Sequence, residues 1–122
     1  MSKAGGNIIK DKSFEFAIEV VKLYKTLVNE KREFILSRQF LKSGTSIGAN
    51  VREADNAESK PDFIHKMGIA QKEADETLYW LDLIRATEYV DQICYDKLKA
   101  SLEEIIRIIK SIILTSKESL KK

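Results

Sequence analysis

Breakers and chemically reactive side chains are scarce in this chain. Cysteine, proline, histidine and tryptophan occur once each, at Cys94, Pro61, His65 and Trp80, and glycine only five times in 122 residues. One cysteine cannot close an internal disulfide, so cysteine usage gives no sign of an oxidising compartment. One histidine excludes a bundle-type di-iron site, which draws on two Glu-x-x-His motifs; the nearest approach is Asp62-x-x-His65, half of one motif. The same shortage leaves no Cys/His or Ser/His/Asp arrangement to complete within one chain. No stretch reaches the roughly 18 consecutive apolar residues of a membrane span, and the opening "MSKAGGNIIKDK" lacks the apolar run of a signal peptide. The expectation is a soluble, cytoplasmic, non-enzymatic protein with no cofactor, no metal and no membrane partner.

What remains is rich in Lys, Glu, Ile, Leu and Ala, a composition that favours helices. About 43% of residues are hydrophobic, enough for a core, and 33% are charged with a net charge of +2. That small total hides segregation. Residues 1–42 hold nine Lys/Arg against five Asp/Glu, residues 43–90 five against nine, and residues 91–122 seven against five. Basic ends of this kind suit nucleic acid, or pair with the acidic middle inside a bundle.

Apolar residues recur at helical spacing in four segments. In the first, with a cap at Asp11 or Ser13, the stripe is read as Phe14, Ile18, Val21 and Val28 with Ala17 and Tyr24 beside it. In the second it is Leu36, Phe40, Gly44, Ile47, Val51 and Ala54. "SKPDF" is a start signal for the third: Ser59 accepts from the Asp62 amide in a capping-box pattern, and Pro61 sits where a missing N–H costs nothing. From there Phe63, Met67, Ala70, Ala74, Thr77, Leu81 and Ile84 form a heptad seam. Asp91 caps the fourth helix, whose seam is Leu98, Leu102, Ile105, Ile109 and Ile112. Four amphipathic helices on short connections predict an all-α, up-down-up-down antiparallel four-helix bundle over residues 13–116. Residues 1–12 are read as a flexible segment and 117–122 as a frayed tail.

The stretch "SGTSIGANVRE" (Ser43–Glu53) resembles a phosphate loop only superficially. Gly44 and Gly48 lack the spacing and the following lysine of G-x-x-x-x-G-K-[ST], and they fall within a helical pattern rather than after a strand. Glycine in a helix costs about 1 kcal/mol relative to alanine, so a close approach by another helix, of this chain or of another subunit, must compensate. Ser46 and Asn50, if buried, need hydrogen-bond partners and would fix helix register.

The runs "SGTSIGANVREA" and "FIHKMGIAQKEADETLYWL" resemble the 23S rRNA intervening-sequence proteins, S23-type four-helix bundles. The match is carried by Lys42, Ser46, Ile47, Asn50 and Glu53 in the second helix. In the third it is carried by Phe63, Ala70, Lys72, Glu73, Ala74, Glu76, Thr77, Tyr79, Trp80 and Leu81, and "SFEFAIEVVKLY" also fits. The likeness spans about residues 13–115. Many relatives have proline at Gly48 and glycine at Ala54, which implies a straighter backbone here. The resemblance implies a homo-oligomer, a pentamer, and more distantly a likeness to the accessory proteins of diversity-generating retroelements, which bind nucleic acid and a reverse transcriptase.

Two functional readings follow. In the first, an oligomeric module binds RNA or DNA weakly, or scaffolds a nucleoprotein, through basic helix faces at Lys22, Lys25, Lys99, Arg107, Lys110, Lys117 and Lys121. In the second, the chain is a structural or protein-interaction oligomer with no nucleic-acid role. Gly44, Ser46, Gly48, Asn50, Glu53, Glu73, Glu76, Tyr79 and Trp80 are the packing or interface candidates. Lys72 and Glu76 are spaced as an i,i+4 pair, and one or more of the three glutamates is expected to meet a basic residue on another helix, with Arg52, Lys42 and Arg38 available. Two adjacent aromatics, Tyr79 and Trp80, cannot both face one partner helix, which points one of them at a second seam or a subunit interface.

Overall fold

The computed structural model describes the backbone of residues 4–121 and the side chains of residues 8–121. Four helices follow in order: α1 (Ala4–Asn29), α2 (Leu36–Asp55), α3 (Lys60–Ala86) and α4 (Gln92–Leu120), with no strand among the described residues. Each packs against its neighbours in sequence, and α4 returns against α1 to close the square. Pairs across the seams fix the antiparallel sense. Lys10 meets Asp55 across α1–α2, Lys66 meets Glu53 across α2–α3, and the Tyr95 hydroxyl donates to Asp82 across α3–α4.

The capping residues of α3 and α4 are those expected, although among the described residues the Asp62 carboxylate does not reach back to Ser59, so only half of the capping box forms. Ser59 accepts from the Asp62 amide at 3.2 Å with Pro61 in the first turn, and Asp91 accepts from the Cys94 amide at 2.8 Å. Both seams are buried as read, with Phe63 and Ile112 half-buried at their ends.

The start of α2 is capped from outside the helix. Ile35 occupies the cap position without a side-chain bond. Instead the Glu33 carboxylate accepts from the amides of Ile35, Leu36 and Ser37 at 3.0, 3.0 and 2.7 Å, satisfying donors that a helix start leaves orphaned. Partial burial raises the pKa of this carboxyl, but the bonds from the Leu36, Ser37 and Ile35 amides outweigh it and hold the pKa below the ordinary value. A depressed pKa stabilises the fold above the usual carboxylate range, and that contribution is lost as pH falls through the folded-state pKa. Glu33→Ala is therefore expected to cost about 0.5–2 kcal/mol at neutral pH, and thermal melts should show the gap to the unsubstituted protein closing in acid.

Two expectations about the ends change. Helix α1 begins at Ala4, not after Asp11 or Ser13. Ile9 is buried in the core and anchors the turns ahead of Ser13, while the Ser13 hydroxyl donates back to the Lys10 carbonyl at 3.2 Å as a mid-helix residue. At the other end α4 runs through residues 117–120, and the Lys60 ammonium reaches the Ser119 hydroxyl at 2.9 Å. Residues 1–3 and 122 of the two expected terminal segments lie outside the described residues.

The larger change is the phase of α1. Its buried face is Ile9, Ser13, Phe16, Val20, Leu23 and Leu27, a clean alternation of four- and three-residue steps. The stripe expected there points elsewhere: Phe14 is 52% and Ile18 41% exposed.

Candidate functional site

The small residues of α2 pack within the chain. A Cβ added at Gly44 would lie 2.8 and 2.9 Å from the two Val20 methyls, closer than side chains approach, so α1 and α2 come together there only because Gly44 has none. Gly48 faces Ser13 more loosely, with the nearest atom 3.4 Å from such a Cβ. The polar residues of the stretch do not set register. Ser46 donates to the Lys42 carbonyl at 2.7 Å and Asn50 to the Ser46 carbonyl at 2.8 Å, each one turn back along its own helix. Such back-bonding satisfies a half-buried polar group locally, leaving nothing to specify a partner helix.

The three glutamates separate. Glu53 pairs with Lys66 on α3 at 3.0 Å, and this carboxylate raises the lysine's pKa. The interhelical partner is thus Lys66; Arg52, Lys42 and Arg38 lie on Glu53's own helix. Glu76 accepts from the Trp80 indole at 3.3 Å rather than pairing with Lys72. Glu73 is half-buried on α3, and its backbone carbonyl accepts from Thr77 at 2.7 Å. Tyr79 and Trp80 meet edge to face, ring centroids 5.0 Å apart. Trp80, seven residues from Glu73 and fourteen from Lys66, leans onto the core from the α2 side, whereas Tyr79 is 59% exposed.

Among the described residues, ion pairs hold only Lys10, Lys12, Lys22 and Lys66. Most cations among the described residues therefore stand outside ion pairs, and such pairing does not account for the basic ends. The nucleic-acid candidates fall on separate faces. Lys22 is tied to Glu19 at 3.5 Å while Lys25 is exposed on α1. Lys99 stacks over the Tyr95 ring at 5.5 Å on the α3 side of α4, a different flank from the one on which Glu104 meets Lys12 of α1 at 3.2 Å. Arg107, Lys110, Lys117 and Lys121 are exposed further along α4.

A second basic region lies on the α1–α2 flank. Arg52 stacks over Phe14, its guanidinium carbon 5.3 Å from the ring centroid. Arg38 and Thr45, fourteen and seven residues before Arg52, share its flank. The sequence held this signal, since Arg38 and Arg52 stand two heptads apart, but it becomes visible only once Phe14 is known to face out.

Other features carry less chemistry. An open groove of about 340 Å³ between α1 and α4 has Phe16 and Ile105 among its lining residues, with Lys12, Glu15, Glu19, Lys97 and Glu104 around them. Among the described residues no three His, Cys, Asp or Glu side chains converge as metal ligands. His65 is exposed, and Cys94 is half-buried, its thiol pushed up by burial and by Asp91 and so kept in the unreactive protonated form. No described helix is long and apolar enough to cross a membrane.

The family described as "23S rRNA-intervening sequence protein" matches residues 6–111 of the chain. Among solved structures, one from Bacteroides thetaiotaomicron, described as a protein with unknown function from the S23 ribosomal protein family, is 53% identical. The alignment covers 89% of this chain and 97% of that one, with a TM-score of 0.88. No curated protein matches the chain.

Proposed function

Because the chain belongs to the 23S rRNA-intervening sequence protein family, we propose that it is a non-enzymatic, self-associating helical module of the cytoplasm that binds RNA or DNA weakly through basic helix faces. The observation that carries the reading is the α4 surface, where Arg107, Lys110, Lys117 and Lys121 are exposed and none is engaged in an ion pair among the described residues. Unpaired cations on a rigid helix displace counterions from a phosphate backbone, and each such contact adds roughly 0.7–0.9 to the slope of log affinity against log salt. Repetition around an oligomer, a pentamer in this reading, multiplies the contacts at high effective concentration. The interleaved Glu103, Glu104 and Glu118 weaken the field, which fits low-affinity, sequence-independent binding.

Charge reversal at Arg107 and Lys110 together tests this. The expected result is at least tenfold weaker binding to single-stranded RNA, a salt slope lower by about 2, and an unchanged oligomer mass. The competing reading, an oligomer that contacts only protein, is favoured by the apolar residues left on the surface, Phe14, Ile18 and Tyr79. It would be adopted if the unsubstituted protein bound no RNA or DNA at low salt.

A further inference from the structure

We infer that the α1–α2 flank is a second nucleic-acid contact, one that selects unpaired strands by stacking nucleobases on Phe14 and its Arg52 partner; this contact rests on the nucleic-acid binding proposed above and adds a face that the α4 stripe does not supply.

Helical spacing builds the flank. Phe14, Ile18, Val21 and Lys25 recur at steps of four, three and four along α1, and Arg38, Lys42, Thr45, Ala49 and Arg52 alternate in the same way along α2, so each set shares one face away from the buried stripe. Phe14, Ile18, Lys25, Arg38, Lys42 and Arg52 are all exposed, and none of the four cations is in an ion pair among the described residues. Scarcity of acid sets this flank apart from α4. Residues 36–52 of α2 contain no Asp or Glu, and Glu15 and Glu19 of α1 line the groove on the α4 side. Glu53 and Asp55, at the end of α2, are held by Lys66 and Lys10. The exposed acids Asp11 and Glu30 stand at the two ends.

Aromatic rings also mark both ends of this basic track. Arg52 lies over Phe14, which is 52% exposed, with its guanidinium carbon 5.3 Å from the ring centroid. In the connection between the helices Arg32 lies over Phe34 at 5.2 Å, and Phe34 is 46% exposed. A ring or guanidinium plane with open surface is a platform on which an unpaired base stacks, and the arginine charge beside it suits the adjoining phosphate. From Phe14 to the end of α1 is about 22 Å of helix rise. About six nucleotides cover that path at the roughly 3.4 Å stacked spacing, and fewer where the strand is extended.

The same geometry selects the single strand. A duplex buries the faces of its bases against one another, so Phe14 would have to unstack a step to reach them, whereas an unpaired strand presents them freely. Phosphate contacts such as those of α4 carry no such preference. A protein occupant matches the flank less well, because Phe14 and Phe34 stand at opposite ends of a charged track, whereas a protein contact gathers its apolar anchors at the centre.

The test is fluorescence anisotropy at low salt with an unstructured RNA strand of about twelve nucleotides, its DNA counterpart and an RNA duplex of the same length. The unsubstituted protein is expected to bind the strand at least fivefold more tightly than the duplex. Phe14→Leu keeps apolar bulk and removes the π-face, so it should weaken strand binding at least fivefold and leave duplex binding unchanged. Arg52→Lys keeps the charge and removes the plane, so it should act in the same direction with an unchanged salt slope. Phe14→Tyr restores a ring and should restore affinity. Both positions are exposed, so circular dichroism should show unchanged helicity and melting. Undiminished strand binding by Phe14→Leu, or equal losses on strand and duplex, would overturn the inference and leave the α4 contact standing. So would an oligomer mass that changes in Phe14→Leu while strand binding does not, which would mark the flank as a protein contact. RNA and DNA strands should bind alike, because neither stacking nor phosphate contact reads the 2′-hydroxyl; a tenfold preference for either would overturn stacking as the contact. An unsubstituted protein that binds no polynucleotide at low salt would remove the proposed nucleic-acid function and this contact together.

Discussion

Gly44→Leu is expected to be among the most destabilising single changes in α2, even though it replaces the poorest helix former but proline with a good one. Propensity alone would favour leucine by somewhat less than the roughly 0.8–1.0 kcal/mol that separates glycine from alanine. Against this, the first carbon of any side chain would sit 2.8 Å from one Val20 methyl and 2.9 Å from the other. Val20 is fully buried and β-branched, so it is held in one rotamer and cannot swing aside. Forcing α1 and α2 apart costs about 1–3 kcal/mol, with leucine at the top of that range or beyond. A net loss near 2 kcal/mol should lower the melting temperature of a domain this size by several degrees. Gly48→Ala supplies the control. The nearest atoms to its new methyl are the Ser13 hydroxyl at 3.4 Å and carbonyl at 3.5 Å, ordinary contacts, so that variant is expected to melt at or above the unsubstituted temperature. A double-mutant cycle between Gly44→Ala and Val20→Ala isolates the contact. Coupling of at least 0.5 kcal/mol is expected, and strict additivity would show that something other than this approach explains the glycine.

Phe40→Ala is expected to have a larger effect through the opposite mechanism. Phe40 is among the largest fully buried side chains, and its neighbours along the buried face of α2 are Ser37, Ser43 and Gly44, too small to fill the space it would leave. Truncating such a phenylalanine costs about 3–5 kcal/mol through lost transfer energy and a residual cavity. Domains of this kind have only about 5–15 kcal/mol in total, so the variant should be partly unfolded at physiological temperature. Phe40→Leu should recover much of the loss by refilling volume. Urea denaturation reads both, and a Phe40→Ala midpoint equal to that of the unsubstituted protein would mean that the α2 core face has been assigned wrongly.

The two helices read most accurately from sequence, α3 and α4, have a capping residue at the start and one dominant apolar seam, broken in α3 only by Thr77, whose hydroxyl donates back to the Glu73 carbonyl. Ser59 and Asp91 fix where the helices begin, and with the beginning fixed the heptad rhythm allows only one buried face. Helix α1 offers neither aid. Apolar residues lie on two of its flanks, Phe14–Ile18–Val21 on one and Ile9–Phe16–Val20–Leu23–Leu27 on the other, and the second is interrupted by Ser13. Periodicity therefore favours the wrong stripe. The interruption makes sense only against α2, where Gly48 brings the backbone close enough that a serine, bonded back to Lys10, fills the position. Similarly, Glu33 gives no cap signal at the expected position, because it acts from two residues before Ile35 and bonds three amides at once.

The sequence by itself determined the fold class, the number and order of the helices, the seams of α3 and α4, and the placement of two glycines at a close helix contact. All of these follow from local rules: caps, breakers, and the 3.6-residue period of apolar side chains. The tertiary structure decided which face of α1 is buried, which of the two glycines is sterically indispensable, and that Glu53 meets Lys66. It also decided that Phe14, Ile18 and Tyr79 remain on the surface. These depend on what lies across a seam, on the distance between backbones and on competition among faces of similar hydrophobicity, and no window of a single helix contains that information.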